Sequence, residues 1–302
     1  MPGLPDDGRC LPKVGGACPG GRIPPLAPAF VRRYIPTMSI WHLHLLNARS
    51  GLTRIMSDIR AAARQAVAQV QDHADLPDFD LVVRPVPGGG IPRWGVGGHA
   101  PAPGLIEISQ DPDRFSADLF IRTLVHEAHH LIRWDGPGYG KSLGEALVSE
   151  GLAGHFVVQV LGGPPDPWDA TVPAPGVARR AMNEWARRDY DHARWFFGKG
   201  DLKNGTGYGL GHRLVGAHLE LAPGQDAAAL AAERADTFRA ALRRLVGAEG
   251  VAEEDEPAAD DGQTPEVVSA GDALPDTMPP DAAPSEDVPG TEDAAGRGGD
   301  SG

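Results

Sequence analysis

The sequence predicts an α+β fold: a small antiparallel sheet backed by two amphipathic helices, followed by a mainly helical second half. Three observations predict it. From Gly51 to about Ala74, the residues Leu52, Ile55, Met56, Ile59, Ala63, Val67 and Val70 recur at helical spacing, with Arg and Asp on the other side. Three short apolar runs follow, Leu81–Val83, Trp94–Val96 and Leu105–Ile108, divided by Pro85–Gly90 and by the Gly/Pro-rich stretch Gly97–Gly104, and these read as antiparallel strands. Beyond them helical patterns dominate. One helix spans roughly Pro112 to Arg133 with Leu119, Leu124, Val125, Ala128, Leu131 and Ile132 on its apolar face. A second runs from Ser142 to about Leu161, and Gly136, Pro137 and Gly138 break the chain between the two. Further helices are expected at 175–190, 210–221 and 226–246.

Both ends fall outside this pattern. Residues 1–37 are rich in Gly and Pro without periodicity and are expected to be a disordered leader, with Met38 offering an alternative start for the functional chain. Residues 250–302 are Ala, Pro, Asp and Glu with few large apolar side chains, a composition that cannot bury enough surface to offset chain entropy. A disordered acidic tail is expected there, and one ordered domain at 38–249. With 302 residues and 41% hydrophobic content, the chain can build a real core.

The formal charge of −13 is misleading for that domain. Residues 251–302 hold fifteen Asp and Glu and a single basic residue, Arg297, so 27 of the 28 basic and 26 of the 41 acidic side chains lie in 1–250. The body is near neutral, and nothing electrostatic points to nucleic acid or to a membrane surface as a partner. Cys10 and Cys18, the only cysteines, both lie in the leader, which excludes a Cys-based zinc site or a disulfide framework in the body. Pro and Gly interrupt the leader throughout, so it has no apolar run of signal-peptide length. No stretch approaches the roughly 18 to 20 apolar residues that span a bilayer. A cytoplasmic protein is expected.

The chemistry is concentrated in His126-Glu127-Ala128-His129-His130, an H-E-x-x-H within a predicted helix that directly follows a predicted strand. Residues four apart on a helix sit one above the other, so the His126 and His130 imidazoles can converge on one ion, with Glu127 beside a water on that ion. Imidazole and carboxylate ligands with an open fourth position suit Zn2+, although manganese or cobalt could substitute in vitro. His129, one position off the pair, is expected to support the site or to face solvent. The third ligand must come from the next helix, which offers Glu145 and Glu150. They are five residues apart, about 140° around a helix, so both cannot face the metal. Ser142-Leu-Gly-Glu145 matches a capping box, which occupies Glu145 and leaves Glu150 for the metal.

H-E-x-x-H, nineteen intervening residues and then Glu resembles the thermolysin-like gluzincin metallopeptidases. The longer run from Leu124 to His130 and from Leu143 through Glu150 to Ala153 looks more closely like a domain-of-unknown-function family described as predicted zinc-dependent proteases. Pro167-Trp168, Trp195-Phe-Phe-Gly198 and Gly207-Tyr-Gly-Leu-Gly-His212 fit that family too, so the likeness covers about residues 45–222. It implies a zincin-like fold, with His126, His130 and Glu150 as ligands, Glu127 as general base and the strand at 105–109 as the sheet edge that binds extended peptide. One departure matters. Thermolysin-like enzymes carry an Asp four residues after the ligand Glu to support a metal His, and this chain has Gly154 there. Such supporting partners typically affect metal affinity or activity about 10- to 100-fold.

The expected function is zinc-dependent hydrolysis of peptide bonds in a peptide or protein substrate. The enzyme alternative is a zinc hydrolase of a non-peptide amide or ester, and the alternative outside enzymes is a catalytically silent metal-binding or interaction protein, which Gly154 motivates and an intact Glu127 opposes. A donor for the tetrahedral oxyanion is expected from Tyr208 or His212, with Tyr208 preferred. Trp195, Phe196 and Phe197 read as core rather than as a substrate pocket. The run Gly205-x-Gly-x-Gly-x-Gly211 lacks both G-x-G-x-x-G spacing and a preceding strand, which excludes a nucleotide loop.

Overall fold

The computed structural model describes residues 38–254 apart from Pro92, so the leader and all of the acidic tail beyond Glu254 lie outside the described residues. The described chain is α+β, with one four-stranded sheet and seven α-helices. Strand β1 spans Trp41–Leu45, helix α1 Met56–Gln71, and strands β2, β3 and β4 span Phe79–Pro85, Val96–Ala102 and Leu105–Gln110. Six helices follow: α2 Ala117–Trp134, α3 Leu143–Leu161, α4 Val177–Glu184, α5 His192–Phe197, α6 Thr206–Leu221 and α7 Arg239–Glu254.

The antiparallel sheet expected from the sequence is instead mixed. Its order is β1-β2-β4-β3, with β1 parallel to β2, β2 parallel to β4, and only β3 antiparallel to β4. The cause is β1, whose Trp-His-Leu-His-Leu alternation the sequence reading passed over. With β1 present, α1 becomes the crossover of a β-α-β unit, and a crossover of that length joins parallel strands. A second correction concerns the edge. Strand β4 lies inside the sheet between β2 and β3, so the edges are β1 and β3, with β3 the one beside β4. That strand runs through Gly97–Ala102, which the sequence reading took for a break because glycine is depleted in strands.

Alternation along the strands builds one apolar face. Leu81, Val83, Ile106 and Ile108 are wholly buried, and α1 and α2 pack together beneath them, with α2 also lying on β3 and β4. Each such side chain taken fully out of water contributes about 1.5–3 kcal/mol. The second half is a helical layer centred on α3 and α6. These two helices touch through glycine: at Gly151 a side chain would overlap the Gly211 carbonyl, and at Gly211 it would overlap the Leu147 carbonyl. The glycine run at 205–211 is therefore a packing surface, which accounts for its failure as a nucleotide motif.

Several helix limits also differ from expectation. Residues 51–55 and 112–115 form turns ahead of α1 and α2, and the helix expected at 226–246 becomes turns, a 3-10 turn at Ala235–Phe238 and α7. Helix α5 was not expected. Its Trp195, Phe196 and Phe197 are buried core, as read. No helix among the described residues is long and apolar enough to cross a membrane.

Candidate metal centre

Two capped helices hold the centre. Ser116 caps α2, accepting from the Leu119 amide at 3.5 Å, and Asp118 and Arg133 sit at the ends where the helix dipole favours their charges. Ser142 caps α3 with the full capping box: Ser142 Oγ accepts from the Glu145 amide, and Glu145 Oε2 accepts from the Ser142 amide at 2.9 Å. Glu145 is thereby fixed at the helix start. One and a half turns later Glu150 points at α2.

His126, His130 and Glu150 converge, all three buried. His126 Nε2 stands 3.1 Å from His130 Nε2 and 3.2 Å from Glu150 Oε2, and His130 Nε2 stands 3.5 Å from Glu150 Oε2. Tetrahedral ligands at about 2.0–2.1 Å from zinc are separated from one another by about 3.3 Å. The three donor atoms thus fit the face of a zinc tetrahedron. They are also the donor types that zinc takes.

The protonation of the cluster without metal points the same way. Burial alone would lower the His126 pKa, but the hydrogen bond to Glu150 and the charges of Glu150, Glu127 and Asp169 raise it to about 10. Burial favours neutral Glu150, yet the facing imidazoles hold its carboxyl well below the usual range. Burial and the neighbouring His126 charge lower His130, against the pull of Glu150. Two imidazoles and a carboxylate buried together favour a shared positive charge, and a divalent cation would supply it while displacing any proton held there.

A family model matches residues 59–239, a span that contains every residue of this centre. The chain belongs to the family described as predicted Zn-dependent protease (DUF2268). No curated protein and no solved structure gives a significant match.

Around the three converging residues of this predicted Zn-dependent protease, each neighbour has a distinct placement. Glu127, 3% exposed, lies against the edge strand, where a side chain on Gly98 would stand 2.6 Å from its Oε1. His130 Nδ1 is 3.2 Å from Ser149 Oγ, and the tautomer that bares Nε2 for a metal puts the Nδ1 proton there. The His130 ring stacks on Tyr139 at 4.6 Å. His129 is fully buried and turned away, donating from Nε2 to the Ala227 carbonyl at 3.2 Å. It braces α2 against the 227–231 turns rather than facing solvent.

The two expected oxyanion donors, His212 and Tyr208, have different surroundings. His212 stacks on His155 at 3.9 Å and lines a groove of about 390 Å³ with Arg213, Gly216 and Glu220. Burial and the His155 charge lower its pKa to about 4, with no contribution from any residue of the metal cluster. Because α3 meets α6 at Gly151 and Gly211, His212 is carried past the contact toward His155, five residues beyond Glu150. Tyr208 is 1% exposed and packs edge-on against Phe196 at 5.0 Å.

Sequence reasoning missed Tyr190 and His192. The Tyr190 hydroxyl is 3.1 Å from His192 Nδ1, and the His192 ring stacks on Phe196 at 4.4 Å. Both feel the Glu150 charge: burial and Glu150 raise the Tyr190 phenol, while burial lowers His192 against the pull of Glu150. A Tyr-x-His triplet before a short helix carries no periodic signal, so nothing in the sequence marked it.

Proposed function

We propose that this chain hydrolyses peptide bonds as a zinc-dependent peptidase with a zincin-like arrangement, in which His126, His130 and Glu150 hold the metal. The observation that carries the reading is the position of Glu127, buried beside the ligand cluster and in contact with the edge strand β3 at Gly98. A purely structural zinc site has no use for a carboxylate at that point. An edge strand offers unpaired backbone groups to an extended peptide, so the substrate carbonyl would be delivered where Glu127 and the metal ligands meet.

A zinc ion held there would supply Lewis acidity toward the scissile carbonyl and lower the pKa of water toward about 7. Glu127 takes the proton of the attacking water and hands it to the leaving amine. Burial of the ligands keeps bulk water out and strengthens each charge interaction. For the oxyanion donor, the electrostatic interaction of both Tyr190 and His192 with Glu150 supports that pair ahead of His212 and as a candidate beside Tyr208. Tyr190 stays protonated, and when its hydroxyl donates to His192 Nδ1 the ring keeps its proton on Nε2 as a neutral donor.

The test is Glu127→Gln, assayed against a peptide library with zinc content measured in parallel. Retained zinc with activity lowered by roughly 10²–10⁴ supports the reading. Equal cleavage by wild type and Glu127→Gln would overturn it, as would no cleavage of any peptide by the zinc-loaded wild type.

A further inference from the structure

The two metal-site histidines are not held alike. His130 has Ser149 behind its Nδ1, whereas His126 Nδ1 is buried with no hydrogen-bond partner among the described residues. A histidine that ligates through Nε2 carries its remaining proton on Nδ1, and a partner there fixes ring orientation and tautomer. The position one turn past Glu150, on the same side of α3, is Gly154, which has no side chain to offer.

That space is filled from elsewhere in the chain. The Asp169 carboxylate lies over Gly154 so closely that a Cβ on Gly154 would stand 2.5 Å from Oδ2, 2.7 Å from Cγ and 2.9 Å from Oδ1. Asp169 is 3% exposed, and neither of its oxygens has a hydrogen-bond partner among the described residues. A buried carboxylate left without donors is costly, and one kept in place calls for a partner. Asp169 interacts electrostatically with His126.

The turn that carries Asp169 is anchored on several sides. Arg122, one turn before His126 on α2, donates to Asp166 Oδ1 at 2.6 Å and to the Pro164 carbonyl at 3.1 Å. Trp168 packs edge-on against Trp94 at 4.9 Å. The Thr171 carbonyl sits against Gly209, where no side chain would fit. Anchors of this kind hold a supporting group in register with the side chain it orients.

We infer that Asp169 is the positioning residue for His126, delivering from the 164–171 turn the carboxylate that α3 omits at Gly154. The glycine and the aspartate are then one device: Gly154 is small so that Asp169 can reach the site. This inference rests on the zinc reading above.

The experiment is a zinc titration of the full chain against a chromophoric chelator, with cobalt spectra and the melting temperature of the metal-free form recorded alongside. Asp169→Asn should weaken zinc about 10- to 100-fold, shift the cobalt absorption bands and leave metal-free melting no lower than wild type. Moving the carboxylate onto α3, by Gly154→Asp together with Asp169→Gly, should recover at least tenfold of that loss, which a merely structural aspartate would not do. Zinc affinity of Asp169→Asn within about twofold of wild type, with unchanged cobalt bands, overturns the inference while leaving the metal site standing. If Asp169→Asn does not fold, the relocated pair decides: near-wild-type zinc affinity supports the role, and weak binding overturns it. Failure of the wild type to bind zinc removes the metal reading and this inference together.

Discussion

Gly98 on edge strand β3 lies directly against Glu127 on α2, with room for no side chain between them: a Cβ there would stand 2.6 Å from Oε1 and 2.8 Å from Cδ. The strand backbone therefore sets where the Glu127 carboxylate, the proposed base, can be. Gly98→Ala should displace the Glu127 carboxylate without touching a ligand, lowering kcat roughly ten- to a hundredfold, as expected for a misplacement on the order of 1 Å. Zinc content should stay at the wild-type level. Kinetics and elemental analysis on one preparation check both halves.

Gly211 governs the helical layer in the same way. A side chain there overlaps the Leu147 carbonyl and stands 3.2 Å from the Gly151 amide nitrogen, all of it backbone that cannot rotate aside. Gly211→Ala should cost about 1–3 kcal/mol, the usual penalty for overpacking a tight contact. In a domain of this size each kcal/mol lowers the melting temperature by about 2–4 °C, which calorimetry would read. A wild-type melting temperature would mean that α3 and α6 are less closely packed than this.

Glu145 tests the division of labour on α3. Burial favours its neutral form, but hydrogen bonds from the Ser142 and Lys141 amides and the Ser142 hydroxyl outweigh it and hold the carboxyl below its ordinary value of 4.5. A folded pKa below the unfolded one contributes stability that is complete above about pH 4.5 and is lost as pH falls through the folded value. Glu145→Ala should therefore cost about 0.3–1.5 kcal/mol at neutral pH, and its deficit against wild type should shrink in acid. Denaturant titrations at pH 7 and pH 3.5 would measure that difference.

Tyr190→Phe removes one hydroxyl and leaves the ring beside His192 in place. If the Tyr190–His192 pair stabilises the oxyanion, kcat should fall by roughly 10²–10³ with KM little changed. Tyr208→Phe should then have a much smaller effect. The opposite ranking would return the donor role to Tyr208.

What was legible in the sequence was local. H-E-x-x-H, the capping box at Ser142 and the helical spacing of apolar residues are all encoded within a turn or two, and α2 and α3 formed where those signals lie. The convergence of Glu150 on His126 and His130 followed from two helix faces and a cap. The sheet was harder, because parallel pairing of β1 with β2 joins residues 38 apart and leaves no local mark. The glycines misled in one place: at 97–98 they read as a strand break and proved to be the strand that meets Glu127. Asp169 was out of reach, since its tie to Gly154 exists only once the 164–171 turn has folded back over α3. Gly154 itself was visible as a departure from the thermolysin-like pattern, which left support for a metal histidine to come from elsewhere or to be weaker.

The most direct test of the central claim is metal analysis of the purified wild type beside Glu150→Ala and Glu145→Ala. About one zinc per chain is expected in the wild type and in Glu145→Ala, as befits a site of three protein ligands, and none above background in Glu150→Ala. A folded wild type that takes up no zinc after reconstitution, or a Glu150→Ala protein that keeps it, would contradict the assignment of His126, His130 and Glu150 as the metal site.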